Sequence, residues 1–248
     1  MNQDEHEVPE RVAIVAITRH GAAAARGLAE RLPEAVVVTP RKFAATFAGL
    51  TNVVHPYDGA LRARIGGLFA DYDQIIFFVS LGAVVRLIAP HLKSKEVDPG
   101  VLVVDDAARF VIPVLSGHVG GANAWAERVA ALLDATPVVT TASDVGNTIP
   151  VDILGRELGW RVEAPKINVT RVSAHVVNGE PIAFVDERAA PAMDWWTRNV
   201  PLPANIHRFL RFEEVEPGRF AAILWVTERE LPAGIWERLP EKLVVYRP

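Results

Sequence analysis

Residues able to bind or activate a substrate follow four of the hydrophobic runs in this chain. The four groups are Thr18-Arg19-His20, Ser80-Leu81-Gly82, Ser116-Gly117-His118 and Thr140-Thr141-Ala142-Ser143-Asp144. In an open parallel sheet, ligands bind beyond the carboxyl ends of the strands, beside the first turns of the helices. We therefore expect the four groups to share one rim of a sheet, where two histidines and an arginine converge. The competing interpretation is that Thr18, Ser80 and Ser116 are ordinary caps and turn formers.

The stretch LSGHVGGAN (115–123) matches none of the familiar glycine motifs. It has no lysine followed by serine or threonine, as a Walker loop needs, and its glycines lack the Gly-x-Gly-x-x-Gly spacing of dinucleotide sites. A hydrolase elbow is also excluded, because Ser116 follows Leu115 and not glycine. What remains is a glycine-lined helix N-terminus that suits a carboxylate or an oxyanion, beside a histidine able to transfer protons. The alternative is that the glycines allow close packing of helix on sheet and that His118 bonds a neighbouring loop.

The segment VVRLIAPHLKSKEVDPG (84–100) carries several charges, including those of Arg86 and Lys95. From its pattern alone, a solvated helix end followed by a Pro-Gly turn is the favoured interpretation. The remaining histidines have no companions at metal-ligand spacing, so we expect no metal site built by the protein itself.

Composition narrows the class of protein. The 248 residues are 50% hydrophobic and 23% charged, with a net charge of −4, so a nucleic-acid partner is not expected. No apolar run approaches the roughly 20 residues of a membrane helix, and the acidic start is unlike a secretory signal. Cysteine is absent, which excludes thiol catalysis and disulfides. We expect a cytoplasmic protein without membrane association.

The order of hydrophobic patterns predicts the fold class. Near-continuous apolar strands alternate with helices, as in a mainly parallel, Rossmann-like α/β sheet flanked by helices. The gap between the runs 101–105 and 109–115 is too short for a helix and predicts a hairpin. Composition changes near residue 146, which predicts a tail at 1–10, an α/β domain at 11–145 and a second, smaller α/β domain at 146–248. In the second domain we predict helices at 149–159 and 167–178 and strands at 181–185 and 221–226.

Several of these segments together resemble a known family. The run SLGAVVRLIAPHLKSKEVDPGVLVVDDAARFVIPVLSGHVGGANAWAERVA (80–130) and PVVTTASDVGN (137–147) closely resemble the N-terminal domain of CbiG, the cobalt-precorrin-5A hydrolase family of anaerobic cobalamin biosynthesis. AIVAITRHGAAAARGLAERLP (13–33) is similar to the start of that domain. Residues 150–248 resemble the central region of the CbiG family more weakly. Ser143 stands where the family pattern has threonine and keeps a hydroxyl.

The resemblance implies a reaction and roles for the residues. Water would open the δ-lactone of cobalt-precorrin-5A, acetaldehyde would leave, and cobalt-precorrin-5B would result. Water activation falls to His118, oriented by Ser116 or Asp144, with Gly120 and Gly121 stabilising the oxyanion. The implied substrate-binding residues are Thr18, Arg19, His20, Ser80, Gly82, Arg86, Lys95, Gly117, Gly120, Gly121, Asn123, Thr140, Thr141 and Ser143.

The resemblance also bears on cofactors and partners. Cobalt arrives inside the corrinoid substrate, so no cofactor is expected. Family members usually continue into a third domain, so we expect either a separate C-terminal-domain partner or a chain that acts without one. The alternative function is a non-catalytic corrinoid-binding or scaffold subunit. A homodimer formed through the tryptophan-rich second domain is compatible with the sequence, although nothing in the spacing requires it.

Overall fold

The computed structural model describes residues 10–141, 148–152, 154, 159–188 and 203–248. The chain forms two compact units, residues 1–139 and 140–248. The domain boundary predicted at 146 falls on residues 142–147 and lies outside the described residues. In the part of the chain that the structure describes, no helix is both long and apolar enough to cross a membrane.

The first unit is built on a seven-stranded sheet. Its strands are β1 (Val12–Ala16), β2 (Val36–Pro40), β3 (Val54–Tyr57), β4 (Gln74–Phe78), β5 (Gly100–Val104), β6 (Phe110–Leu115) and β7 (Thr136–Pro137). They lie in the order β3-β2-β1-β4-β5-β6-β7. The first five are parallel, β6 is antiparallel to β5, and β7 is parallel to β6.

Helices cover both faces of this sheet. They are α1 (Arg19–Ala29), α2 (Ile65–Asp71), α3 (Leu81–Ile88) and α4 (Ala122–Leu133). Alternate residues of β4 belong to the hydrophobic cores on opposite faces of the sheet. Ile76 and Phe78 pack with α1 and α4, and Phe77 packs with α2 and α3. All five residues of β4 are buried because both faces are covered. The predicted fold class, a mainly parallel α/β sheet, is confirmed.

The predicted β5–β6 hairpin is present, and Asp105 holds its turn. The carboxylate of Asp105 accepts hydrogen bonds from the backbone N–H of Arg109 at 2.7 Å and of Phe110 at 2.8 Å. Because β6 runs back along β5, Leu115 lies opposite Val101, at the start of β5. The glycine stretch that follows Leu115 is therefore at the amino edge of the parallel strands. Our expectation that it lies with Thr18 and Ser80, at the carboxyl ends of the parallel strands, is wrong.

The second unit has its own five-stranded sheet. Its elements are β8 (Arg161–Glu163), α5 (Lys166–Val177), β9 (Ile182–Asp186), β10 (Ile206–Phe209), β11 (Ala222–Val226), α6 (Ile235–Arg238) and β12 (Leu243–Arg247). The order is β10-β9-β11-β12-β8, with β8 antiparallel to β12 and the other strands parallel. The predictions of α5, β9 and β11 are confirmed, and the helix predicted at 149–159 falls largely on residues outside those described.

Candidate functional site

The first sheet has its topological switch point between β1 and β4. The pairing of Ala16 with Phe78 places the two strand ends side by side, so Thr18 and Ser80 start neighbouring loops. From β1 the chain continues to β2 on one side, and from β4 it continues to β5 on the other. Ligands of open α/β sheets bind in the crevice that such a divergence leaves. We call this edge of the sheet the carboxyl rim.

A hydrogen bond between Thr18 and Asp106 crosses this rim. The Thr18 hydroxyl lies 3.1 and 3.2 Å from the two carboxylate oxygens of Asp106 and donates to that carboxylate. The same oxygen caps α1 by accepting from the backbone N–H of Gly21 at 2.9 Å. A Cβ on Gly21 would lie 2.8 Å from the Thr18 hydroxyl and 3.0 Å from the carbonyl oxygen of Phe78. Glycine is therefore needed for α1 to start so close to β4.

Two arginines and a histidine belong to the helices that begin at this rim. Arg19 and His20 are exposed in the first turn of α1. Arg86 lies one turn further along α3, but its guanidinium turns back and donates to the carbonyl of Gly82 at 3.0 Å. Neither helix has an acidic residue in its first turn. Because the charges of Arg19 and Arg86 add to the positive ends of two helices, the rim favours an anionic ligand.

The glycine stretch, by contrast, is packed tightly against the opposite edge of the sheet. The hydroxyl of Ser116 is buried and donates to the carbonyl of Asp98 at 2.9 Å, just before β5. A Cβ on Gly117 would lie 2.7 Å from the Asn123 side chain, and one on Gly120 would lie 2.4 Å from the Cβ of Ser116. The close-packing interpretation accounts for these glycines.

Three backbone donors at the start of α4, including that of Gly121, already form hydrogen bonds within the protein. The N–H groups of Gly121, Ala122 and Asn123 donate to the carbonyls of His118, Ser116 and Gly117 at 2.9, 3.2 and 2.9 Å. They therefore cannot also stabilise an oxyanion without breaking the start of α4. Ser116 is equally committed as a donor, which argues against a role for its hydroxyl in orienting water.

The predicted site residues thus divide between two edges. The carboxyl rim carries Thr18, Arg19, His20, Ser80, Gly82 and Arg86. The amino edge carries Lys95, Ser116, Gly117, His118, Gly120, Gly121 and Asn123. Thr140 and Thr141 begin the second unit. Ser143 and Asp144 lie outside the described residues.

Sequence reasoning missed Asp106 altogether. The signal was an acidic pair, Asp105-Asp106, directly after a buried strand. Asp105 accepts hydrogen bonds from the β5–β6 turn. Burial acts to raise the pKa of its carboxyl, but hydrogen bonds from the backbone N–H groups of Phe110 and Arg109 outweigh burial and lower that pKa. Asp106 is the member of the pair that faces the rim.

The second sheet also gathers charge at its switch point, between β9 and β11. Glu187 accepts from the Thr227 hydroxyl at 2.7 Å and from the backbone N–H of Phe212 at 3.0 Å. Beside it, the buried Asp186 pairs with Arg188 at 2.6 Å. Both carboxylates accept hydrogen bonds from protein donors, so the cluster joins Asp186 and Glu187 to Arg188, Phe212 and Thr227. The sequence signal was the run Asp-Glu-Arg after an apolar strand.

Comparison with known proteins agrees with this architecture. The family model "Cobalamin synthesis G N-terminal" matches residues 64–144, and the model "Cobalamin biosynthesis central region" matches residues 149–248. The first match lies almost entirely within the first unit, and the second match lies within the second unit. The matches and the fold together define the class: a two-unit α/β protein of cobalamin biosynthesis. The chain belongs to the cobalamin biosynthesis protein G (CbiG) family, of which it carries the N-terminal and central regions.

Two curated relatives span nearly all of this chain. The cobalt-precorrin-5A hydrolase of Priestia megaterium is 44% identical over 236 residues, which are 95% of this chain and 62% of that protein. The enzyme of the same name from Salmonella typhimurium is 29% identical over 244 residues, covering 95% of this chain and 65% of its own length. This chain thus spans less than two thirds of each relative.

A solved structure supports the fold. A cobalamin biosynthesis protein G homolog from Sulfolobus solfataricus matches with a TM-score of 0.50 and 22% identity, over 96% of this chain and 60% of that one. At this level of identity the match bears on the fold alone.

Proposed function

We propose that this chain is a cobalt-precorrin-5A hydrolase that opens the δ-lactone of its corrinoid substrate with water, in the cytoplasm, during anaerobic cobalamin biosynthesis. The observation that carries this proposal is the 44% identity to a protein of that name, sustained across 95% of the chain. Opening the lactone leaves a hydroxyl on the two-carbon unit. Loss of the hydroxyl proton and cleavage of the C–C bond to the macrocycle release acetaldehyde, the macrocycle takes up the bonding electron pair and a proton, and cobalt-precorrin-5B is formed. Cobalt belongs to the substrate, and the proposal includes no cofactor of the protein's own.

The carboxyl rim suits such a substrate. Corrinoid precursors carry acetate and propionate side chains around the ring, and each of these is an anion near neutral pH. Arg19, His20 and Arg86 offer donors to such carboxylates. In the described part of the chain, no carboxylate forms an ion pair with any of the three. The charges of Arg19 and Arg86 are therefore available to a ligand.

Asp106 supplies the base in this proposal. Its carboxylate accepts a proton from water as the water oxygen attacks the lactone carbonyl carbon. The ester C–O bond then breaks, and the departing ring oxygen takes up a proton, so water is added across the bond. The hydrogen bond from Thr18 orients the carboxylate. This role was assigned to His118 on sequence grounds, but His118 lies at the other edge of the sheet.

The test is an anaerobic assay of the purified chain with cobalt-precorrin-5A, with acetaldehyde and the corrinoid product followed by mass spectrometry. A parallel reaction contains the C-terminal part of the Priestia megaterium relative as a separate polypeptide. Product formation in either reaction supports the hydrolase. Absence of product from both contradicts it.

A second candidate function is a corrinoid-binding or scaffold subunit without activity of its own, since Arg19 and Arg86 at the carboxyl rim suit the binding of carboxylates whether or not a reaction follows. Under that alternative the chain binds cobalt-precorrin-5A but forms no product until the separate C-terminal polypeptide is added. A product formed by the chain alone would rule this alternative out.

A further inference from the structure

An exposed apolar pair lies on α3, directly after Ser80 at the carboxyl rim. Leu81 is 41% exposed and Val85 is 46% exposed. They are four residues apart, so they share one face of the helix. The other side of α3 packs into the core through Val84 and Ile88, which are buried. The pair is therefore turned away from the core of the first unit.

The charged side chains next to this pair on the helices that begin at the rim are arginines. The guanidinium of Arg86 is drawn back to Gly82, which places it in the first turn of α3, beside Leu81. The Nη1 atom of Arg86 lies 3.4 Å from where a Cβ on Gly82 would be, so the guanidinium covers this turn. Arg19 and His20 are in the first turn of α1, which follows β1, the strand next to β4. An apolar surface edged by cations matches a ligand with a flat apolar face and anionic groups around it.

We infer that Leu81 and Val85 form a platform on which one face of the corrin ring rests, while Arg86 and Arg19 bind carboxylates at the edge of the ring. This inference rests on the proposed function and adds to it the place where the macrocycle lies. A corrin ring exposes apolar carbon on each face and carries its carboxylates on its periphery. It therefore fits both parts of this surface, whereas an apolar peptide would leave the arginines without partners.

The test is binding of cobyrinic acid, a cobalt corrinoid with seven carboxyl groups, measured by titration calorimetry. The double variant Leu81→Gln/Val85→Gln is expected to weaken binding by about tenfold, since roughly half of each side chain is available for burial. The matched control is Val97→Gln, because Val97 is 66% exposed and lies in the loop before β5, at the amino edge. It is expected to bind within about twofold of the unsubstituted chain.

The charged part of the platform has its own readout. Arg86→Met should weaken binding of cobyrinic acid and reduce the dependence of affinity on salt concentration. The heptamethyl ester of cobyrinic acid, which has the same ring without the charges, should lose affinity in the double variant but not in Arg86→Met. Thermal unfolding of each variant confirms that the fold is retained.

The outcomes separate the platform from the proposed reaction. Unchanged binding in the double variant, or no binding of cobyrinic acid by the unsubstituted chain, overturns the platform. A dimer that the double substitution dissociates also overturns it and assigns the face to a second copy. If only the proposed hydrolase activity is wrong, cobyrinic acid will bind to the unsubstituted chain and bind more weakly to the double variant. Neither reaction of the assay will then form product from cobalt-precorrin-5A.

Discussion

The hydroxyl of Thr18 and the carboxylate of Asp106 are joined by a hydrogen bond of 3.1 Å across 88 positions of the sequence. This contact ties the start of α1 to the end of β5 and passes over the end of β4, the strand between them. It holds the carboxylate of Asp106 at the carboxyl rim, to which Arg19 and Arg86 also belong. The chemistry proposed for this chain depends on that placement.

We predict that Gly21→Ala destabilises the first unit, although alanine is the better helix former. The added Cβ would meet the carbonyl oxygen of Phe78 at 3.0 Å, and this backbone atom cannot move aside. A loss of about 1–3 kcal/mol in the free energy of unfolding is expected from such overpacking. Denaturant unfolding measures it.

Gly27→Ala is the matched control, because it lies on the same helix. The nearest atom to its added Cβ is the guanidinium of Arg31 at 3.7 Å, the end of a flexible side chain. This substitution should stabilise the chain by about 0.5–1 kcal/mol, the ordinary gain for glycine to alanine in a helix. Equal effects of the two substitutions would refute the close approach at Gly21.

Acid should weaken the first unit partly through Asp105. The native pKa of this carboxyl is lowered, so its ionised form stabilises the fold fully above the unfolded-state pKa, near 3.9. That stabilisation is lost as pH falls through the lower native pKa. Urea unfolding between pH 6 and pH 3 should therefore show a shallower acid dependence in Asp105→Asn than in the unsubstituted chain. An identical slope in both proteins would contradict the assignment.

The ion pair of Asp186 and Arg188 should be the most costly to break in the second unit. Its side chains are only 7% and 12% exposed, so Arg188→Met leaves a buried carboxylate without its cation. We expect a loss of about 3 kcal/mol in unfolding free energy. Arg41→Met, at the exposed pair with Asp58, is the comparison and should change stability little. A small effect at Arg188 would show that water already reaches the pair.

Much of the fold was predictable because its strands are buried on both faces. Such strands read as continuous apolar runs, and β1, β4 and β5 were all evident. β8 and β10 were not predicted: they are the edge strands of the second sheet and have only three and four residues. β12 was also not predicted, although it is a buried apolar run. A short edge strand is specified by pairing with its neighbour more than by its own composition.

The site was predictable only in part. The predicted hairpin implies that β6 is antiparallel to β5 and brings the glycine stretch to the amino edge, whereas we expected that stretch at the carboxyl ends of the strands. Asp106 escaped notice for a related reason, since its partner Thr18 is distant in sequence. Motif spacing identified reactive residue types but not the edge of the sheet to which the topology brings them.

The most direct measurement of the central claim compares turnover of cobalt-precorrin-5A by Asp106→Asn and His118→Gln under identical anaerobic conditions. Asparagine keeps an acceptor for Thr18 but removes the base, so kcat should fall by about 10²–10³-fold while thermal stability is nearly unchanged. His118→Gln should retain kcat within about threefold, because the glycine stretch serves packing. Full activity in Asp106→Asn together with a large loss in His118→Gln would contradict the account and return the chemistry to the amino edge.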